Sequence, residues 1–214
     1  NKKLDINSLR YDIKNFKALI QPSDFTSIFP NLKALTASYT ASLDVQGTSR
    51  SIKVKQINIA DRSFSTQIRA KGWVSNLQKK PTWDFSFSPL KISSNTLQTV
   101  AKITHKPLPK VLNNIGNVYY HGTFAHTAGK YIAKGQLKTD AGALRLSTVV
   151  HGKNVQGTIN TTGLNIAKVL DNNDFGNLST NIRVEGNTDL SHIVAKGDIS
   201  SFYYKGYTDR KSVV

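Results

Sequence analysis

Apolar and polar residues alternate with period two along most of this chain, and no other feature limits its fold as strongly. In Ser38–Gly47, Tyr39, Ala41, Leu43 and Val45 take one phase, and Ser38, Thr40, Ser42 and Asp44 take the other. The pattern recurs in Ile68/Ala70/Gly72/Val74, Trp83/Phe85/Phe87, Tyr131/Ala133/Gly135/Leu137 and Leu144/Leu146/Thr148/Val150. Successive side chains of a strand point to opposite faces, so each run predicts a strand with one apolar and one polar face. Short polar turns between the runs make the neighbours antiparallel, with strands of about six to nine residues. Two runs change phase in the middle: Leu9/Tyr11/Ile13 gives way to Phe16/Ala18/Ile20 at Lys14-Asn15, and Ile52/Val54 to Ile57/Ile59. A β-bulge produces such a slip. The segment Ser63–Leu77 is read as one alternating run beginning at Phe64.

Brief helices punctuate the strands. Gln21-Pro22-Ser23-Asp24 reads as a helix entry with Ser23 as N-cap, and Pro30 as its end. Ser94–Thr104 carries the stripe Leu97, Val100, Ala101 and is the longest predicted helix, capped by Ser94 or Asn95. Pro107 and Pro109 break it before a short helix at Lys110–Asn113. Ile166, Val169 and Leu170 share one face of a further turn, stopped by the polar cluster Asp171–Gly176.

These pieces repeat. Ala-Lys-Gly occurs at residues 70–72, 133–135 and 195–197. The apolar triplet occurs as Phe25/Ile28/Phe29, Leu108/Val111/Leu112 and Ile166/Val169/Leu170, each followed by a strand ending in glycine, at Gly47, Gly122 and Gly186. Recurrence in the same order implies stacked supersecondary units that share a continuous core. The expected blocks are 1–95, 96–163 and 164–214. Gly72, Gly135 and Gly197 fall in the apolar phase, where a small residue thins the packing layer and suits a sheet curved around something other than its own side chains.

The 214 residues include neither Cys nor Met, which removes disulfides and cysteine-based metal sites and fits an exported location. Net charge is +16, from 29 Lys+Arg against 13 Asp+Glu, which suggests an anionic partner such as nucleic acid, a phospholipid surface or lipopolysaccharide. The basic residues are dispersed and read as a solvated outer face. No run reaches the roughly 18 apolar residues of a membrane helix. The start at Asn1 and the end Arg210-Lys211-Ser212-Val213-Val214 are read as the bounds of a piece of a longer exported or anchored protein.

Two segments carry a family resemblance. The first is Pro22-Ser23-Asp24-Phe25 through Phe29-Pro30-Asn31-Leu32-Lys33, followed by Ser42-Leu43-Asp44-Val45-Gln46-Gly47-Thr48. The second is Lys168-Val169-Leu170-Asp171-Asn172 with Phe175-Gly176-Asn177-Leu178-Ser179. Together they resemble the AsmA/TamB family of diderm bacteria, in its Bacteroidetes-like form. The resemblance implies a mostly β fold, a repetitive antiparallel sheet curved into a U-shaped groove (a "β-taco") with an apolar interior. It also implies a periplasmic segment of an inner-membrane-anchored protein. Such a protein moves phospholipid toward the outer membrane or helps to assemble outer-membrane proteins. Leu43, Val45, Ile68, Phe85, Leu146, Ile182 and Val184 are the candidate groove residues. Phospholipid or another anionic envelope lipid is the expected partner, and outer-membrane barrel proteins, pairing with an open strand edge, are the alternative.

Catalytic signals are missing: there is no G-x-S-x-G, no H-E-x-x-H and no phosphate-cradling glycine loop. None of His105, His121, His126, His151 and His192 has an i, i+4 helical partner, although His121 and His126 flank an expected turn and could meet across it. No enzyme, cofactor or metal is therefore expected. Trp83, Phe85 and Phe87 could stack bases or sugars, but Asp84, Ser86 and Ser88 intervene instead of cations, which argues against nucleic acid and for a core role. A carbohydrate- or nucleic-acid-binding β domain with a closed core is the remaining reading. The sequons at Asn160 and Asn177 are read as incidental.

Overall fold

Strand follows strand in chain order through one open antiparallel sheet. The computed structural model describes residues 9–28, 30–105, 108, 110–189, 191–209 and 212–213. The strands are β1 (Arg10–Ile20), β2 (Tyr39–Thr48), β3 (Ser51–Asp61), β4 (Gln67–Ser75), β5 (Thr82–Ile92) and β6 (Val118–Thr127). They continue as β7 (Lys130–Thr139), β8 (Gly142–His151), β9 (Asn154–Asn165), β10 (Phe175–Asn187), β11 (Ile193–Tyr204), β12 (Tyr207–Asp209) and β13 (Ser212–Val213). Each pairs with its chain neighbours from β1 to β12, and β13 pairs with β11. β1 and β12 do not meet, so the sheet is not a closed barrel. This is the mostly β, antiparallel fold with short interspersed helices that the alternation predicts. The expectations resting on Phe29, Pro107, Pro109, Arg210, Lys211 and Val214 lie outside the described residues.

Of the strands β1–β11, β4 has the expected nine residues and the others are longer, 10 to 13. The two bulges read from the sequence are present, and a third explains the shortfall at β5. Register shifts fall between Ile13 and Phe16, between Val54 and Ile57, and between Phe87 and Leu90. An extra residue reverses the phase of the alternation, so a strand that continues reads in sequence as one that ends. In each case the apolar residues before and after the slip stay on the same face.

At one end of the sheet the β2–β3, β6–β7 and β8–β9 turns take two residues each. Ala128 and Gly129, both at positive φ, link β6 to β7. The helices collect at the other end. α1 (Ser94–Thr104), α2 (Lys110–Asn114) and α3 (Ile166–Leu170) join two 3-10 turns, Pro22–Phe25 and Pro30–Ala34. Four strands, β2–β5, separate the 3-10 turns from α1, and four more, β6–β9, separate α2 from α3. The sheet runs unbroken past residues 95 and 163, where the sequence blocks were drawn.

Several local expectations need correction. Ser93, not Ser94 or Asn95, caps α1, its Oγ accepting from the Thr96 amide at 3.2 Å. Ser23 lies inside its 3-10 turn, Gln21 occupies the N-cap without a side-chain bond, and Pro30 opens a second turn instead of closing the first. Phe64 is outside β4, in the β3–β4 turn at φ 53 and exposed. Phe25 and Ile28 are exposed, unlike Ile166 and Val169, which pack with Leu112, Val118 and Leu144 around buried Ile115, Ala141 and Leu164. His121 and His126 both lie on β6, five residues apart, and therefore face opposite ways.

Polar contacts tie the helices of this rim to one another and to the β3–β4 turn. Thr66 and Thr96 share a hydroxyl hydrogen bond of 2.8 Å, the Asn31 amide donates to the Ile103 carbonyl at 3.2 Å, and the Asn114 amide donates to the Val169 carbonyl at 3.2 Å. Buried Asp61 organises the β3–β4 turn by accepting from Ser63 Oγ (3.1 Å), the Ser65 amide (2.9 Å), Ser65 Oγ (2.5 Å) and the Thr66 amide (3.1 Å). Burial alone would raise its pKa, but these four donors outweigh burial and hold the carboxyl below its ordinary value. A depressed folded pKa contributes stability above the unfolded value, near 3.9, that is lost as pH falls through the folded value. Asp61→Asn is therefore expected to lose about 1–3 kcal/mol at pH 7. The gap to wild type narrows below about pH 4, as denaturant melts across that range would measure.

Candidate functional site

Register decides which side chains share a face, because directly paired residues in an antiparallel sheet point the same way. One continuous ladder runs Leu43, Ile57, Ala70, Phe87, Gly122, Gly135, Leu146, Ile159, Ile182, Gly197 from β2 to β11. The ladder on one side of it contains Val45, Phe85 and Val184, and the ladder on the other side contains Ile68. All seven groove candidates thus lie on one face, in three adjacent ladders. The face spans nine strand steps, about 43 Å at a spacing near 4.8 Å.

This face has almost no cover. Among the described residues no large side chain is fully buried. Of the seven candidates only Val45 is buried; the others are half-buried. Phe16, Ile13 and Ile193 on the same face are 50%, 40% and 43% exposed. The compact cluster around Ile115 and Leu164 sits at the helical end, so the helices do not roof the middle of the sheet. Large apolar areas left open to water in a folded chain mark a binding surface.

Aromatic side chains thicken the centre of the face. Trp83 meets Phe124 edge-on at 4.9 Å, and Phe85, Phe87 and Tyr120 follow at 6.3–6.4 Å centroid spacings. His126 packs on Tyr131 at 4.6 Å and lies 3.0 Å from the Pro81 carbonyl. Trp83, Phe85 and Phe87, the residues of the expected stacking platform, lie in this cluster and are half-buried.

The glycines do something different from the thinning expected of them. An ideal Cβ on Gly135 would stand 2.3 Å from the His121 carbonyl oxygen and 2.9 Å from the Tyr120 ring, and one on Gly72 would stand 2.8 Å from the Phe85 ring. Tyr120 covers the Gly122–Gly135 pair, its one hydroxyl proton shared between the carbonyls of Thr123 (2.7 Å) and Lys134 (2.9 Å). Burial pushes the Tyr120 phenol up, which keeps it a donor. At Gly72 and Gly135 the space is filled by aromatic rings, and the neighbouring backbone approaches closely.

The opposite face is polar and basic. The Ala-Lys-Gly repeats each place Ala and Gly on the apolar face and Lys outside. One outer ladder runs Lys71, Ser86, Thr123, Lys134, Ser147, Thr158, Arg183, Lys196, so all three repeat lysines share a row. Among the described residues no helix is long and apolar enough to cross a membrane, and no group of three or more metal-ligating side chains could hold a metal ion. No protein-family model, curated protein or solved structure matches the chain.

Proposed function

We propose that this chain is a periplasmic segment of an envelope-spanning protein of the AsmA/TamB type. It binds phospholipid along its apolar face in outer-membrane biogenesis, and it performs no catalysis. The observation that carries the reading is the apolar face itself, continuous over ten strands and without a covering layer. Acyl chains are a suitable cover, since burial stabilises them at about 0.8 kcal/mol per CH₂ and requires no precise polar site. The basic outer face faces away from the lipid tails and meets the anionic components of the envelope.

A photo-crosslinking residue introduced at Ile182 is expected to capture lipid, whereas the same residue at Arg183, one position along but on the other face, captures none. Equal capture at both positions, or none at Ile182, contradicts the proposal. The alternative is a scaffold for barrel-protein strands. It draws support from β1, an edge strand of 11 residues whose Phe16 and Leu19 are 50% and 66% exposed. Crosslinks from β1 to barrel-protein peptides, with no lipid captured at Ile182, would favour it.

A further inference from the structure

Trp73 breaks the division between the two faces. It lies on the polar face of β4, pairs with Lys53 on β3 and Asp84 on β5, and is 43% exposed. It lines a cleft of about 730 Å³ together with Lys53, Lys55, Lys71, Asp84 and Ser86. That volume is within the range of small-ligand sites, roughly 300–1,000 Å³. The cleft is separate from the lipid face, because the groove residues of these strands, Ile68 and Phe85, point to the other side of the sheet.

We infer that this cleft binds an acidic saccharide, a sugar bearing carboxylate or phosphate. An indole among polar side chains offers a flat apolar surface to a sugar ring, the combination of one apolar body and surrounding polar groups on which sugar sites rely. Lys53, Lys55 and Lys71 are exposed and supply donors and positive charge for the acid group. Among the described residues no ion pair occupies these lysines; the ion pairs are Lys14–Asp12, Arg183–Glu185 and Lys205–Asp174. Asp84 selects between occupants. A carboxylate beside the platform accepts from sugar hydroxyls but repels a bare polyanion or an anionic bilayer. The inference stands apart from the lipid reading, and either can fail alone.

Titration calorimetry of the 214-residue chain tests it with tetragalacturonate, neutral maltotetraose, tripolyphosphate and phosphatidylglycerol vesicles as probes. Tetragalacturonate is expected to bind more tightly than maltotetraose. Trp73→Ala weakens it about tenfold and Trp73→Phe restores most of the loss. Lys71→Gln weakens it about threefold. Asp84→Asn raises affinity for tripolyphosphate more than for tetragalacturonate, which loses a hydroxyl acceptor as it escapes the repulsion. Circular dichroism verifies that each variant is folded; Trp73 is exposed, so its removal leaves no buried cavity. The inference is overturned if tetragalacturonate does not bind, if Trp73→Ala binds it as wild type does, or if the Trp73-dependent ligand is the vesicle.

Discussion

Val184→Asp is expected to abolish lipid binding while leaving the sheet folded. Val184 is half-buried in β10, three residues before its end, and pairs with Gly157 on β9 and Ala195 on β11. Both partners are small, so a carboxylate there keeps contact with water when the face is empty. The cost to the free protein is about 1 kcal/mol, the span of strand propensities in a central strand. Against acyl chains the same carboxylate loses its hydration without a partner, a penalty of several kcal/mol. Leu43→Asp makes the same test at the other end of the face, in the adjacent ladder, between Phe16 and Ile57. Lipid content and a thermal melt, measured on each variant, separate the two effects. A folded Val184→Asp protein that retains its lipid would exclude this face as the binding surface.

Gly135→Val is expected to cause the largest loss of stability, about 3 kcal/mol. The new side chain would meet the His121 carbonyl, the Gly122 backbone and the Tyr120 ring at once. Neither backbone can retreat without breaking the β6–β7 ladder. For a domain of this size the loss corresponds to roughly 6–12 °C in melting temperature. Gly152→Ala is the control. Gly152 has φ 59 and open space around it, so alanine there carries only the left-handed backbone penalty of about 1–2 kcal/mol. If the two variants melt alike, close approach is not what requires Gly135.

Alternation alone located the apolar face. The phase of Leu43 and Val45 in Ser38–Gly47, or of Ile182 and Val184, follows from period two once the segment is extended. Ser94–Thr104 was legible as a helix because its apolar stripe has helical spacing and strands flank it on both sides. Its cap was missed because Ser93, Ser94 and Asn95 are all competent capping residues, and only backbone geometry distinguishes them. The slips at Ile13/Phe16 and Val54/Ile57 are legible as changes of phase, whereas the one at Phe87/Leu90 is not, and β5 reads as ending at Ser88. Register between strands leaves no mark in a single sequence. The repeated Ala-Lys-Gly gave each lysine its face but not the row shared by Lys71, Lys134 and Lys196. The role of Tyr120 over Gly122 and Gly135 depends on that register too. Trp73 did carry a signal: it is the one large aromatic out of phase with Ile68, Ala70, Gly72 and Val74. A tryptophan on the polar side of an alternating strand points to a surface that does something.

The central claim is that lipid covers the apolar face, and native mass spectrometry of the chain purified from bacterial membranes tests it most directly. The account predicts phospholipid that co-purifies with the folded chain, is identified after extraction, and is absent from the Val184→Asp protein. A wild-type chain that is folded, monomeric and free of lipid would contradict it.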